Sequence, residues 1–314
     1  MATLKAIRDG YGEALVELGR RNRNIVVLDA DLSESTRTGM FAKVFPERFF
    51  NAGIAEQNMV NMAVGLALSG KTVFASSFAI FAAGRCWEQL RNSLGAMRAN
   101  VKIVASHGGV TVGADGMSHQ CVEDIALMRA IPNFTVIVPC DWFEAKKAVF
   151  AAAELKGPVY IRTSRPKTEL VTDERSLFTI GKAVRMREGT DLAIIGCGIM
   201  LACALGAARR LAAEGIEAAV INMHTIKPLD DQAVAVAARK CGALVTAEEH
   251  SVIGGLGSAV ADAVVRHCSV PVEMVGVHDK FGQSGEPEEL LQKYALTAED
   301  ICKAAKRALS RKSK

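Results

Sequence analysis

The sequence predicts an α/β fold: a doubly wound parallel sheet, followed by a second, smaller α/β domain. Half of the 314 residues are apolar and only 5% are aromatic, so the core is built from Ala, Val, Leu and Ile, the mixture that fills layered α/β folds. Short β-branched runs alternate with stretches of helical spacing, which is the pattern of βαβ units. The alternation stops at one polar stretch and then resumes, in a chain long enough for two domains.

In chain order, residues 25–28, 72–75, 101–105, 134–138 and 159–162 read as buried strands. Their near-continuous apolar character suits a parallel sheet covered on both faces. Residues 7–18, 55–68, 86–96 and 143–155 carry helical spacing between them. The pattern breaks over 164–189, where Pro166, Lys167, Thr168, Asp173, Glu174 and Arg175 form a polar linker. Strands follow at 192–195, 219–221, 244–247 and 272–275. The boundary falls near residue 180, with domains expected over 1–170 and 189–314 and a linker over 171–188.

Charge is near balance, +4 from 38 basic and 34 acidic residues, and no basic face carries interleaved aromatics, so nucleic acid is not an expected partner. The basic run Lys303, Lys306, Arg307, Arg311, Lys312 and Lys314 reads as a solvated helix end complementing the helix dipole. None of the eight cysteines forms a C-x-x-C pair, and Cys86, Cys140, Cys197 and Cys203 lie in apolar segments as small hydrophobes. The first residues lack a signal-peptide core, and no apolar run reaches the roughly 18 residues of a membrane span. These features read as cytoplasmic and reduced, with no membrane partner.

Functional loops of an open α/β sheet lie beyond the carboxyl ends of its strands. Polar clusters stand at such places: 29–35 after the first strand, 106–119 after the third, and 163–166 after the last. Glu56 opens an apolar helix with little other charge; on residue type alone it is equally an ordinary first-turn acid. His107 and His119 flank a glycine-rich loop with Asp115. Glycine there permits close approach of a ligand, while the histidine spacing fits no zinc pattern. Gly254, Gly255 and Gly257 resemble a truncated dinucleotide fingerprint, read here as a tight turn into a helix. No nucleophile elbow or phosphate loop is present, which removes support for hydrolase and kinase readings. Composition and spacing reach an α/β enzyme with a polar site at a sheet edge, and stop there.

The same residues resemble a known family. Phe50-Asn-Ala-Gly-Ile-Ala-Glu56-Gln-Asn-Met resembles the glutamate-bearing segment of transketolases. Asp115-Gly-Met-Ser-His119-Gln-Cys-Val-Glu-Asp, with Arg129-Ala-Ile-Pro-Asn after it, resembles their substrate-facing histidine loop. Ala30-Asp31-Leu32-Ser33-Glu34-Ser35 resembles their first strand end, while the 248–257 and 281–285 segments resemble their carboxyl-terminal domain. The resemblance implies a thiamine-diphosphate-binding pyrimidine domain followed by a transketolase C-terminal domain. It implies transfer of a two-carbon ketol unit between sugar phosphates.

The family's Gly-Asp-Gly…Asn motif for diphosphate and metal is missing from this sequence. The expectation is therefore a split enzyme. An N-terminal transketolase subunit would bring the diphosphate site with Mg2+ or Ca2+, in an α2β2 heterotetramer, and this chain would contribute no metal ligand. By resemblance, Glu56 hydrogen-bonds the pyrimidine N1′ and so activates the cofactor, the kind of electronic tuning a protein supplies. Phe78, Phe81 and Asp31 line the cofactor pocket. His107, Asp115 and His119 hold the donor sugar, His119 also moving protons. Arg8, Ser35 and Arg165 grip its phosphate, with Arg162 competing for the role of Arg165. Glu34 and Arg37 share the strand-end loop, and the acid leaves the terminal group of the sugar open. Three rival readings stand beside this one: the β subunit of a 2-oxoacid dehydrogenase decarboxylase component, a deoxyxylulose-phosphate synthase-like enzyme, and a non-catalytic subunit that kept the fold.

Overall fold

The structure, a computed structural model, describes residues 3–312. Its larger sheet has seven strands in the order Thr225–Lys227, Thr135–Ile137, Val159–Arg162, Val101–Ser106, Thr72–Phe78, Ile25–Asp29 and Phe49–Asn51. All neighbours pair in parallel except Thr225–Lys227, which runs antiparallel to Thr135–Ile137. The five expected strands are all in it.

Helices Ile7–Arg21 and Trp142–Glu154 cover one face. Tyr11, Ala14, Leu15 and Leu18 recur at helical spacing and pack with Phe74, Ala148 and Val149. The buried Asp141 caps the second helix by accepting the Glu144 N–H at 2.9 Å. Helix Glu56–Leu68 and the segment Ile80–Gly95 cover the other face.

That segment differs from the regular helix expected over 86–96. It begins at Ile80, and two wide π-helical turns, Ile80–Arg85 and Leu90–Gly95, flank a single α turn at Trp87–Gln89. Such wide turns insert a residue without breaking the helix and recur at functional sites. Here they bury Ala82 and Ala83 while leaving Arg85 exposed at the strand end.

The second sheet has the order Val272–Val277, Leu244–Ser251, Leu192–Gly196, Ala218–Asn222 and Val184–Arg187, the last antiparallel. Val184–Arg187 lies inside the stretch expected to be linker. Its charged residues mark an edge strand, where charge is tolerated on the open side. Thr225–Lys227 crosses back to edge the first sheet, and one apolar core runs through both sheets.

The Gly254 turn leads into helix Leu256–His267, as expected. The buried Glu248 carboxylate accepts the N–H groups of Leu256 at 2.6 Å and Gly257 at 2.7 Å. It occupies the helix N-terminus where a dinucleotide phosphate would sit. The basic run ends helix Ala298–Ser310, with Lys306 on Glu214 at 2.6 Å and both Arg307 and Arg311 on Glu273; Lys314 lies outside the described residues. Cys86, Cys140 and Cys197 are buried, Cys203 is half-buried, and all eight thiols are free. No helix among the described residues is long and apolar enough to cross a membrane.

Candidate active site

Six parallel strands end on one side of the larger sheet, and loops that follow them meet there. The Asp29 carboxylate, fully buried, folds the first loop into a hook. It accepts the Leu32 N–H at 2.5 Å and the hydroxyls of Thr36 at 2.6 Å and Thr38 at 2.8 Å. Burial raises its pKa above the usual carboxylate value. The hook forces Asp31 (φ 63°) and Arg37 (φ 72°) into the left-handed region, an observed strain of the kind that gathers at functional sites. Asp31 is exposed and exchanges hydrogen bonds with Asn51 at 3.0 and 3.1 Å.

The end of strand Thr72–Phe78 supplies an aromatic stack. Phe78 is buried and lies face to face with His107 at 3.7 Å between ring centroids. Phe81 stacks on Phe78 at 5.8 Å, and His119 meets the edge of Phe81 at 5.4 Å. Four residues singled out from separate segments thus form one contiguous wall. His107 is held at φ 61° and bonded through Nδ1 to the Ser106 hydroxyl at 2.8 Å. Burial, reinforced by Arg8, pushes its pKa down to about 3, so the ring is neutral near pH 7.

Glu56 opens its helix only 2% exposed. Its carboxylate faces Arg85, whose Nη1 donates to Oε2 at 2.7 Å. The Arg85 guanidinium lies over the Phe81 ring at 4.6 Å, which links the acid to the aromatic wall. Sequence reasoning missed Arg85. The available signal was its isolation, since it is the lone charge between Lys71 and Glu88.

Cations gather on the other side of the histidines. Arg8 donates to the Ser35 backbone oxygen at 2.8 Å, and its Nε is buried without a partner. Arg165 donates to the Val112 oxygen at 2.6 Å and lies 3.5 Å from the Asp115 carboxylate. The pKa of Arg8 is lowered by burial and by repulsion from Arg37 and Arg165. Arg37 is itself tied to Asp9 at 2.7 Å. The Glu34 side chain is exposed on the outer side of the hook, in a surface cleft with Lys43.

Arg162, expected as a competitor for Arg165, is committed elsewhere. It is buried against Asp124 at 2.9 Å and donates to the backbone oxygens of Cys121 and Glu249 at 3.1 and 2.9 Å. Its Nε and Nη2 are taken by these partners, which tie the guanidinium between the two domains instead of presenting it at the strand ends.

A buried carboxylate beside a flat aromatic face fits a heteroaromatic ring with a basic nitrogen, such as an aminopyrimidine. Of the two phenylalanines, Phe81 is the more accessible, while Phe78 is backed by His107. Among the described residues, no group of three or more His, Cys, Asp or Glu could hold a metal ion. The acid and the aromatic wall fit the ring end of such a heteroaromatic molecule.

Comparison with known proteins agrees in kind. The family described as transketolase, pyrimidine binding domain, matches residues 4–170, and transketolase, C-terminal domain, matches 181–301. A solved structure described as "Split gene transketolase, inactive beta4 tetramer" is 52% identical, with a TM-score of 0.93, covering 98% of this chain and 99% of that one. The 6-deoxy-6-sulfo-D-fructose transketolase subunit SqwH of Clostridium sp. is 43% identical over 98% of this chain and 95% of its own length. Transketolase of Homo sapiens is 38% identical over 96% of this chain but only 48% of its own length.

Proposed function

The chain belongs to the transketolase family, and from that premise we propose that it is the smaller subunit of a two-chain transketolase, carrying the pyrimidine half of the site. The observation that carries this reading is the buried Glu56 carboxylate beside the Phe81 face, with the His107 and His119 rings adjoining. Bound thiamine diphosphate supplies the nucleophilic carbon that accepts the two-carbon ketol unit. Within this reading, Glu56 would leave Arg85 to hydrogen-bond the ring nitrogen, and Phe81, with Phe78 behind it, would hold the ring face. Asp31, exposed at the hook, completes the pocket against the partner. His107 and Asp115 hold the donor's oxygens, and His119, half-buried at the wall's edge, carries protons to and from them. Arg8, Arg165 and the Ser35 loop take the sugar's anionic end. The crowding of Arg8 by Arg37 and Arg165, only partly offset by Asp9, and its buried, unpartnered Nε support an anion there.

The diphosphate and its Mg2+ or Ca2+ belong, in this reading, to a larger N-terminal subunit in an α2β2 assembly. Ile54 stands beside Glu56 and is 81% exposed, an apolar side chain suited to cover by such a partner. A cytoplasmic location accords with eight free thiols. The rival decarboxylase, deoxyxylulose and non-catalytic readings gain nothing from relatives whose names are those of transketolase subunits. The test is reconstitution. The purified chain alone is expected to bind thiamine diphosphate poorly and to transfer no ketol unit, and the partner chain to restore both. Full activity from this chain alone would sink the proposal.

A further inference from the structure

One amide ties the histidine loop to the C-terminal domain. Gln120 follows His119 directly and is only 4% exposed. Its Nε2 donates to the backbone oxygens of Val110 at 2.9 Å, Gln283 at 2.9 Å and, more weakly, Gly113 at 3.4 Å. Val110 and Gly113 belong to the kinked 3-10 segment Val110–Asp115, whereas Gln283 lies in the C-terminal domain. The Gln120 Oε1 is buried without a partner. A buried orphan acceptor is costly, so the side chain is explained by its N–H groups and not by its bulk.

The fit around this amide is close. A Cβ at Gly282 would lie 1.6 Å from Gln120 Oε1, and one at Gly116 would lie 2.6 Å from Ser284 Oγ. The turn that presents His119 is closed by Gly116, whose oxygen accepts the N–H groups of both His119 and Gln120 at 3.0 Å. The far side is braced by Tyr294, which donates to the Phe281 oxygen at 2.8 Å.

We infer that Gln120 is a positioning residue, through which the Phe281–Gly285 loop of the C-terminal domain sets the place of His119 and Asp115 at the sugar site. The inference rests on the reading that His119 faces the donor. A misplacement of about 1 Å in a catalytic constellation costs on the order of a hundredfold in rate, so a clamp of this kind acts on turnover out of proportion to its share of stability.

The test uses Gln120→Met, which keeps the bulk and removes the donor, and Gly282→Ala, which pushes on the amide from the other domain. Each variant is assembled with the partner subunit. Both should lower kcat/KM for a ketose donor by about tenfold or more while leaving thiamine diphosphate affinity within about twofold. On the chain alone, labelled for histidine NMR, both should shift or broaden the His119 ring signals and leave those of the buried His224 and His250 in place. Should one variant fail to assemble, the other decides. Unchanged kcat/KM with unchanged His119 signals would overturn the clamp, as would equal losses in cofactor affinity and in every histidine signal. His119→Ala is the control: if it is fully active, the underlying reading of His119 falls; if it is impaired while both clamp variants are not, only the clamp falls.

Discussion

The Arg85 guanidinium and the Glu56 carboxylate meet at 2.7 Å, with the acid side chain 3% exposed and the arginine 48%. An acid that must address a ring nitrogen is thus already engaged by a cation from the neighbouring wide turn. The two contacts compete for the same carboxylate.

Glu56→Gln in the assembled enzyme is expected to lose turnover while fold and assembly persist. Acid–base assistance is typically worth about 10² to 10⁴ in rate. Steady-state kinetics decide it: more than about a tenth of wild-type activity, a barrier change of only about 1.4 kcal/mol, removes Glu56 from the chemistry.

Arg85→Gln should destabilise the chain alone, because it strands a buried carboxylate. The half-exposed arginine is screened, which brings the expected cost to roughly 1 kcal/mol. In a Glu56→Gln background the same substitution should cost almost nothing. Urea titration of the four chains in this cycle measures the coupling, and strictly additive effects would mean that the pair does not interact in solution.

Arg8→Ala and Arg165→Ala should each raise KM about tenfold or more for sugars with an anionic end, since a hydrogen bond to a charged group is worth roughly 1.5 to 3 kcal/mol. Hydroxypyruvate, whose only charge is the carboxylate on the reacting carbonyl carbon and which has no distal anionic group, should be nearly unaffected. Comparison of phosphorylated, sulfonated and unsubstituted donors separates the options. A preference for unsubstituted sugars would remove the anion site and leave the thiamine chemistry untouched.

His107 makes a prediction about pH. Its folded pKa of about 3 lies below the ordinary 6.5, so between those values the unfolded chain binds a proton that the fold refuses. Stability from this residue is therefore lost as pH falls, by at most about 1.4 kcal/mol per pH unit. Urea midpoints of wild type and His107→Gln should converge as pH drops from 7 toward 4. Curves that stay parallel would mean that His107 titrates normally.

The strands, most helices and the break between two α/β units were legible in the sequence, because apolar periodicity reports burial and burial is local to each element. Residues 25–28 and 72–75 read as strands for that reason, while the Gly254 turn was legible from its glycines. The motif order from Glu56 to His119 likewise sufficed to mark the family. Tertiary structure alone decided which charged side chain faces which. Arg162 and Arg165 lie three positions apart with the same chemistry, yet one is buried against Asp124 and the other reaches Asp115. Val184–Arg187 is a strand only because Ala218–Asn222 offers it an edge. Arg85 reaches Glu56 only because a wide turn brings it across 29 positions of sequence. Partners so distant leave no local periodicity, and their choice is made by packing and by the need to pair every buried charge.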